Sequence, residues 1–254
     1  MSSAKQSVGW ELHTRQFLLP KLGHDASECE DAIAIDSQAC RFAVADGATE
    51  AFDARNWAQR LSQSWVNKGS TLTAEEFRTW VEAEGRELHD SWNDLSLSWY
   101  SEEKARKGSF AAFAGLEIDL DSASWQAIAL GDTCLLHCRR AALVKSFPLS
   151  HSESFNTAPV LVASDSSLHE SMMQSLVIDS GSCESGDVLL LMSDGVASWY
   201  LQRLEQNDFN PDELIRSQRD EELIQFFNDE RLAGRIRNDD IALVRIEITQ
   251  RRLS

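Results

Sequence analysis

The chain has no run of about 18 apolar residues and no leader pattern at its amino-terminal end. Neither a membrane span nor an export signal is therefore expected, and the sequence reads as that of a cytoplasmic protein without a membrane partner. It is also short of basic residues: 24 Lys and Arg stand against 41 Asp and Glu, a formal net charge of −17. That balance argues against nucleic acid and anionic membrane surfaces as partners. Cysteine is scarce and odd in number, with five residues at 29, 40, 134, 138 and 183. They lie largely in apolar strands without paired spacing, which excludes a disulfide framework and marks them as reduced core residues. Cys134 and Cys138 share one face of a predicted strand while His137 points the other way, so no zinc site is expected. Internal repeats and low-complexity linkers are absent as well.

What is present is an alternation of strand-like and helix-like blocks. An opening in which Trp10, Leu12 and Thr14 alternate with polar residues precedes strands at Ala32 to Asp36 and Cys40 to Ala45, expected to form a hairpin. Residues 50–68 and 73–98 read as amphipathic helices, the second opened by a capping box of Thr73 and Glu76. Trp57, Leu61 and Trp65, then Trp80, Leu88, Trp92 and Trp99, recur near helical spacing. This stripe is expected to pack on a sheet rather than form a ligand cage. Residues 109–119, 124–130, 132–138 and 142–147 read as strands of one antiparallel meander, with a hairpin at Gly131 and Asp132. The serine-rich residues 149–172 suggest an irregular or short-helical flap bordering a site. Strands at 174–180 and 187–193 follow, then a helix through Trp199 and Leu204. A further helix is capped by Asn210 with Pro211 at its first position, and residues 219–234 form another. A last strand spans 240–248. Strand blocks and helix pairs without a βαβ rhythm predict an α+β fold, two packed antiparallel β-sheets flanked by helix pairs.

Acidic residues stand where apolar runs stop or start. The segments ECEDAIAID, FAVADGATE, VLLLMSDG and NDDIALVRI place Glu30 and Asp31, Asp46 with Gly47, Asp194 with Gly195, and Asp239 with Asp240 at the ends of buried strands. Carboxylates gathered from four segments would repel in a low-dielectric interior unless a cation held them. Oxygen-only ligands suit magnesium or manganese, and a pair of such ions is the arrangement that hydrolyses phosphate esters. Motifs spanning residues 30 to 240 also argue for one domain, 1–254, rather than two.

The order of these pieces resembles the metal-dependent protein phosphatase family, the type-2C serine/threonine phosphatases (PPM type). The family's Glu-Asp pair resembles Glu30 and Asp31, and its strand ending in Asp-Gly resembles FAVADG. Its Gly-Ser-Thr opening resembles GSFAAFAG at Gly108, and its Gly-Asp-Ser hairpin resembles GDTCLLH at Gly131. Its Ser-Asp-Gly resembles Ser193 to Gly195, and its closing Asp-Asn resembles Asp239 and Asp240. The resemblance implies two Mn2+ or Mg2+ ions. Asp46 would bridge them, Asp194 and Asp239 would complete one, and the Gly47 carbonyl would serve the other, while Glu30 and Asp31 would hold metal-bound waters. A water bridging the two ions would then attack phosphorus, with no side-chain nucleophile required. Asp132 matches an acid of a third, weaker ion, whose usual partner position is Ser198 here.

The implied function is hydrolysis of phosphoserine or phosphothreonine on a protein by a monomer, with a phosphoprotein substrate and a cognate serine/threonine kinase as partners. Departures from the pattern leave a second reading, a pseudophosphatase that binds phosphoproteins with little or no turnover. Where family members carry a phosphate-gripping arginine this chain has Ala26, and the turn after Asp46 and Gly47 continues with Ala48, Thr49 and Glu50 and offers no obvious proton donor. His24, near the first acidic pair, could replace that anchor or donate a proton to the leaving group, but the reading favoured for it is a solvated loop residue. Cys29, beside the acids, has no adjacent base and is not expected to be a nucleophile.

Overall fold

The computed structural model describes residues 8–68, 73–93, 95–156, 158–207, 215–216 and 219–252. Within them the chain runs β1 (Val8–Leu19), β2 (Asp31–Asp36), β3 (Arg41–Gly47), α1 (Ala54–Lys68), α2 (Ala74–Trp92), α3 (Trp99–Lys107), β4 (Phe110–Asp119), β5 (Ser124–Leu130), β6 (Cys134–Arg139) and β7 (Ala142–Phe147). It continues with β8 (Val162–Ala163), α4 (His169–Met172), β9 (Val177–Ser182), β10 (Asp187–Met192), α5 (Asp194–Gln206), α6 (Asp220–Leu232) and β11 (Ile241–Arg252). One sheet has the order β1-β11-β10-β6-β7 and the other β2-β3-β4-β5-β9, with the short β8 beside β4. The pairings are antiparallel, including the expected hairpin of β2 and β3.

Period-two alternation in the strands sorts side chains into three layers. On β3, Phe42 and Val44 point inward, where with Leu116 they meet Leu189, Leu191, Val244 and Ile246 of the opposing sheet. Ala43 and Ala45 point outward, and their small side chains admit the rings of Trp57, Trp65 and Trp80 from α1 and α2. On the far side Phe17, Leu136 and Leu190 pack under Trp199, Tyr200, Leu223 and Phe227 of α5 and α6. The result is helices, sheet, sheet, helices, the architecture expected from the sequence. Truncating a fully buried anchor such as Trp65 to alanine should cost about 3–5 kcal/mol.

Three expectations are corrected. Residues 73–98 do not form one helix: the capping box of Thr73 and Glu76 opens α2 as expected, but α2 ends at Trp92 and a separate α3 begins after Ser98, whose hydroxyl caps Ser101 N at 3.2 Å. Trp99 accordingly leaves the buried stripe and is 77% exposed. The four strands from 109 to 147 are not one meander either, because β4 and β5 belong to one sheet and β6 and β7 to the other. Gly131 and Asp132 carry the chain between sheets instead of turning a hairpin. Gly131 has φ +107°, and a Cβ there would lie 2.6 Å from that of Ala112, so a side chain is excluded. The helix expected at Asn210 and Pro211 lies outside the described residues.

Candidate metal centre

Strand polarity brings the acidic motifs to one end of the sandwich. β2 starts at Asp31 and β3 ends past Asp46, and the two residues are cross-strand partners. β10 ends at Met192, paired with both Cys134 at the start of β6 and Leu243 near the start of β11. The residues flanking those ends, Asp132, Asp194 and Asp239, therefore meet the first pair from the opposing sheet. Asp46, Gly47, Ala48, Thr49, Asp132, Asp194, Arg237 and Asp239 line one cavity of about 400 Å³. Phe155, Ala158, Pro159 and Leu161, from the segment 149–172, wall its other side.

Local structure holds each acid in place. A Cβ on Gly47 would lie 2.8 Å from the Ala54 carbonyl oxygen and 2.9 Å from that of Glu30, so only glycine lets β3 pass between β2 and α1 here. Ser193 is the N-cap of α5, and its hydroxyl accepts from Ala242 N at 2.9 Å, fixing the strand-to-helix corner that presents Asp194. Asp240 serves as a tie rather than facing the cavity. It is buried, and its carboxylate accepts Lys21 N at 2.8 Å and Glu30 N at 2.9 Å, stitching the approach to β2 onto the start of β11.

The electrostatics are those of crowded acids. Burial pushes the Asp46 carboxyl well above its ordinary range, and Asp31, Asp194, Asp239 and Asp132 add to the rise. Asp31 is likewise raised by burial, a hydrogen bond with Ser193 opposing and the charges of Asp240, Asp194 and Asp239 reinforcing. Asp194 is raised by burial and Asp239 although Arg237 opposes it, and burial with Asp194 pushes Asp132 up to about 6.

Two features suit a hard divalent cation. The donors on the cavity are oxygens, and Asp31 Oδ2 and Asp194 Oδ1 are buried without a hydrogen-bond partner, a state that costs free energy unless something is bound there. Yet among the described residues no three Asp, Glu, His or Cys side chains converge, as they stand, into a group that could hold an ion. The chain's own cations engage three of these acids. Arg237 Nη1 lies 3.1 Å from Asp194 Oδ2, and Lys21 Nζ lies 3.2 Å from Asp239 Oδ1 and 3.5 Å from Glu30 Oε2. These partners offset part of the repulsion, Arg237 opposing the rise at Asp194. Burial pulls the Lys21 ammonium down in pKa, but Asp239, Asp240 and Glu30 together raise it.

The seven residues singled out in the sequence thus sit at one locus. Asp46, Gly47, Asp132, Asp194 and Asp239 line the cavity, Asp31 is buried beside Asp46, and Glu30 is at the rim, accepting from Thr49 Oγ1 at 2.6 Å. Ala26 and His24 are exposed in the turn before β2 and do not line the cavity. Lys21 and Arg237 were missed in the sequence, and Thr49 was read only as part of the turn after Gly47. For Arg237 the available signal was its position two residues before Asp239. The cysteines are free and buried, as expected.

Among solved structures, PppA, a regulatory component of the type VI secretion system in Pseudomonas aeruginosa, superimposes with a TM-score of 0.59 at 16% identity, covering 95% of this chain and 100% of that one. The photosystem II phosphatase PBCP gives 0.59 at 15% identity, with 93% and 98% covered. The catalytic domain of the serine/threonine phosphatase PstP, in complex with two manganese ions, gives 0.57 at 12% identity, with 96% and 100% covered. At such identities the likeness establishes the fold. No curated protein sequence matches the chain at a significant level. The sequence pattern of the family described as Protein phosphatase 2C, however, matches residues 23–237, a span that takes in the acids from Glu30 to Asp194 and stops at Arg237. The chain belongs to the protein phosphatase 2C family.

Proposed function

We propose that the chain is a metal-dependent phosphatase that hydrolyses phosphoserine or phosphothreonine monoesters on proteins. The observation that carries this reading is the cavity on which Asp46, Asp132, Asp194 and Asp239 open together. Asp46, Asp194, Asp239 and the Gly47 carbonyl are the residues that would hold two manganese or magnesium ions, with Asp132 for a weaker third. Such ions, when bound, lower the pKa of water toward neutrality and offset charge on phosphoryl oxygens. The chain's own part is positional. Glu30, steadied by Thr49 and Lys21, and Asp31 orient water beside Asp46, while Phe155, Pro159 and Leu161 form an apolar wall on the other side of the cavity. In this reading residues 1–254 act as one monomeric domain with residues 149–172 as its flap, and a serine/threonine kinase supplies the substrate.

A non-catalytic phosphoprotein-binding module is the second reading, favoured by Lys21 and Arg237 engaging the acids. Phosphate release from an aryl phosphate and from a phosphothreonine peptide, with added Mn2+ and with chelator, separates the two. Turnover that persists under chelator would overturn the metal-dependent reading. Calorimetric Mn2+ binding without turnover of either substrate would establish the module.

A further inference from the structure

A cavity lined by four carboxylates repels a phosphate ester before it attracts one. Admission of a dianion therefore calls for a cation on the cavity wall as well as any bound metal. Among the residues lining this cavity, Arg237 is the single cationic side chain. It follows directly from Ile236, which is buried, so its backbone is anchored while its side chain stays 56% exposed. Among the described residues its one side-chain hydrogen bond is from Nη1 to Asp194 Oδ2 at 3.1 Å. A guanidinium has five N–H donors in a planar fork, so most of this one is left for a ligand. Lys21 is placed differently: it does not line the cavity, its side chain is 17% exposed, and its ammonium is engaged by Glu30, Asp239 and Thr49.

We propose that Arg237 is the phosphate-gripping side chain of this site, its fork taking two oxygens of the phosphoryl group while the remainder of the substrate lies toward Phe155 and Leu161. The proposal rests on the phosphatase reading and adds to it the residue that recognises the dianion. Planar two-point contact with a tetrahedral oxyanion is a task that arginine performs and lysine, a point charge, does not. The bond to Asp194 gives Arg237 a resting position within reach of the cavity, and a cation placed on Asp194 would release the guanidinium toward the ligand.

The test compares Arg237→Ala and Arg237→Lys with the wild-type protein, using Arg106→Ala on the exposed face of α3 as a control for lost charge. On Mn2+-saturated protein, Arg237→Ala should raise the KM for an aryl phosphate about tenfold or more and change kcat far less. It should weaken calorimetric binding of inorganic phosphate by a similar factor, with Arg237→Lys recovering only part. Mn2+ affinity of the chelator-treated protein should be unchanged or tighter, because a competing cation has gone. Unchanged phosphate binding and KM in Arg237→Ala would overturn the proposal, as would equal losses in Arg106→Ala. A parallel tenfold loss of Mn2+ affinity would instead assign Arg237 to positioning Asp194. If the wild-type protein binds Mn2+ and phosphate but hydrolyses no ester, the phosphatase reading fails, and the phosphate calorimetry still decides whether Arg237 grips the anion.

Discussion

Asp31 and Asp46 face each other directly across the antiparallel ladder of β2 and β3. Cross-strand partners project to the same side of a sheet, and like charges so placed are destabilising. Burial adds to the effect in both, so this end of the sandwich holds protons more tightly folded than unfolded.

The sign of the resulting pH dependence follows. Asp31, Asp46, Asp132 and Asp194 are all raised above their unfolded values. The stability linked to them is fully present below the unfolded carboxylate range and is lost as pH rises through the folded values, about 6 for Asp132. Asp187 and Glu230 are lowered and act oppositely, but only as pH falls below the ordinary carboxylate range. Chelator-treated protein should therefore melt higher near about pH 5 than near about pH 7.5, and saturating Mn2+ should narrow the gap. A metal-free melting temperature that falls steadily over the same acidification would contradict this.

Neutralising the acids singly should separate ligand from structural roles. Asp46→Asn, Asp194→Asn and Asp239→Asn should each lower Mn2+-dependent turnover about a hundredfold or more, since each removes an anionic oxygen donor. Their effects on the metal-free protein should differ. The charges bearing most on Asp46 are those of other acids, so Asp46→Asn should raise the melting temperature, whereas Asp239→Asn removes the nearer of two carboxylates paired with Lys21 and should lower it. Equal destabilisation by both variants in differential scanning calorimetry would sink the distinction.

Cys29 should be inert. Its thiol is buried and is pushed up to about 12 by burial together with Asp240 and Asp31, so thiolate is essentially absent at neutral pH. Cys29→Ser should retain most turnover, and the native protein should resist alkylation at this position by mass spectrometry. Rapid alkylation with matching inactivation would point to cysteine chemistry.

Gly47→Ala tests the tight passage of β3. Its new methyl would meet two backbone carbonyls at 2.8 and 2.9 Å, neither able to rotate away, an overpacking cost of about 1–3 kcal/mol. Because the strain falls next to Asp46, metal-dependent turnover should fall further than the melting temperature suggests. Wild-type stability together with wild-type turnover would show that the chain yields easily there.

Much of this was legible in the sequence where a local pattern reports a local fact. The run Val188 to Met192 is apolar because both faces of β10 are covered, and the capping box of Thr73 and Glu76 marks the start of α2 at the expected residue. The acids at strand ends were legible as a group because apolar runs bracket them. The end of α2 was not, since the break before Ser98 carries no Gly or Pro, and α3 buries none of its residues, leaving no hydrophobic face for a periodicity to reveal. Gly131 and Asp132 misled for another reason: a glycine at positive φ followed by an aspartate looks alike locally whether the next strand pairs with the last or leaves for the other sheet. Arg237 and Lys21 were overlooked because apolar periodicity marks neither an exposed arginine nor a loop lysine, and nearness to Asp239 in sequence does not by itself give Arg237 a role. Their roles come from the acids that folding places beside them.

Asp31 and Asp46 belong to the sheet of β2 and β3, while Asp132, Asp194 and Asp239 sit at strand ends of the other. The cavity is thus a caliper whose two jaws are separate sheets, set apart only by the side chains between them. Phe42, Leu116, Leu189 and Val244 are the spacers of that instrument, although none of them lines the cavity. A conservative change in the middle layer, such as Leu189→Val, is expected to alter the gap between the jaws. Selection on the inter-sheet core would then act on the setting of the acids as much as on the cohesion of the fold.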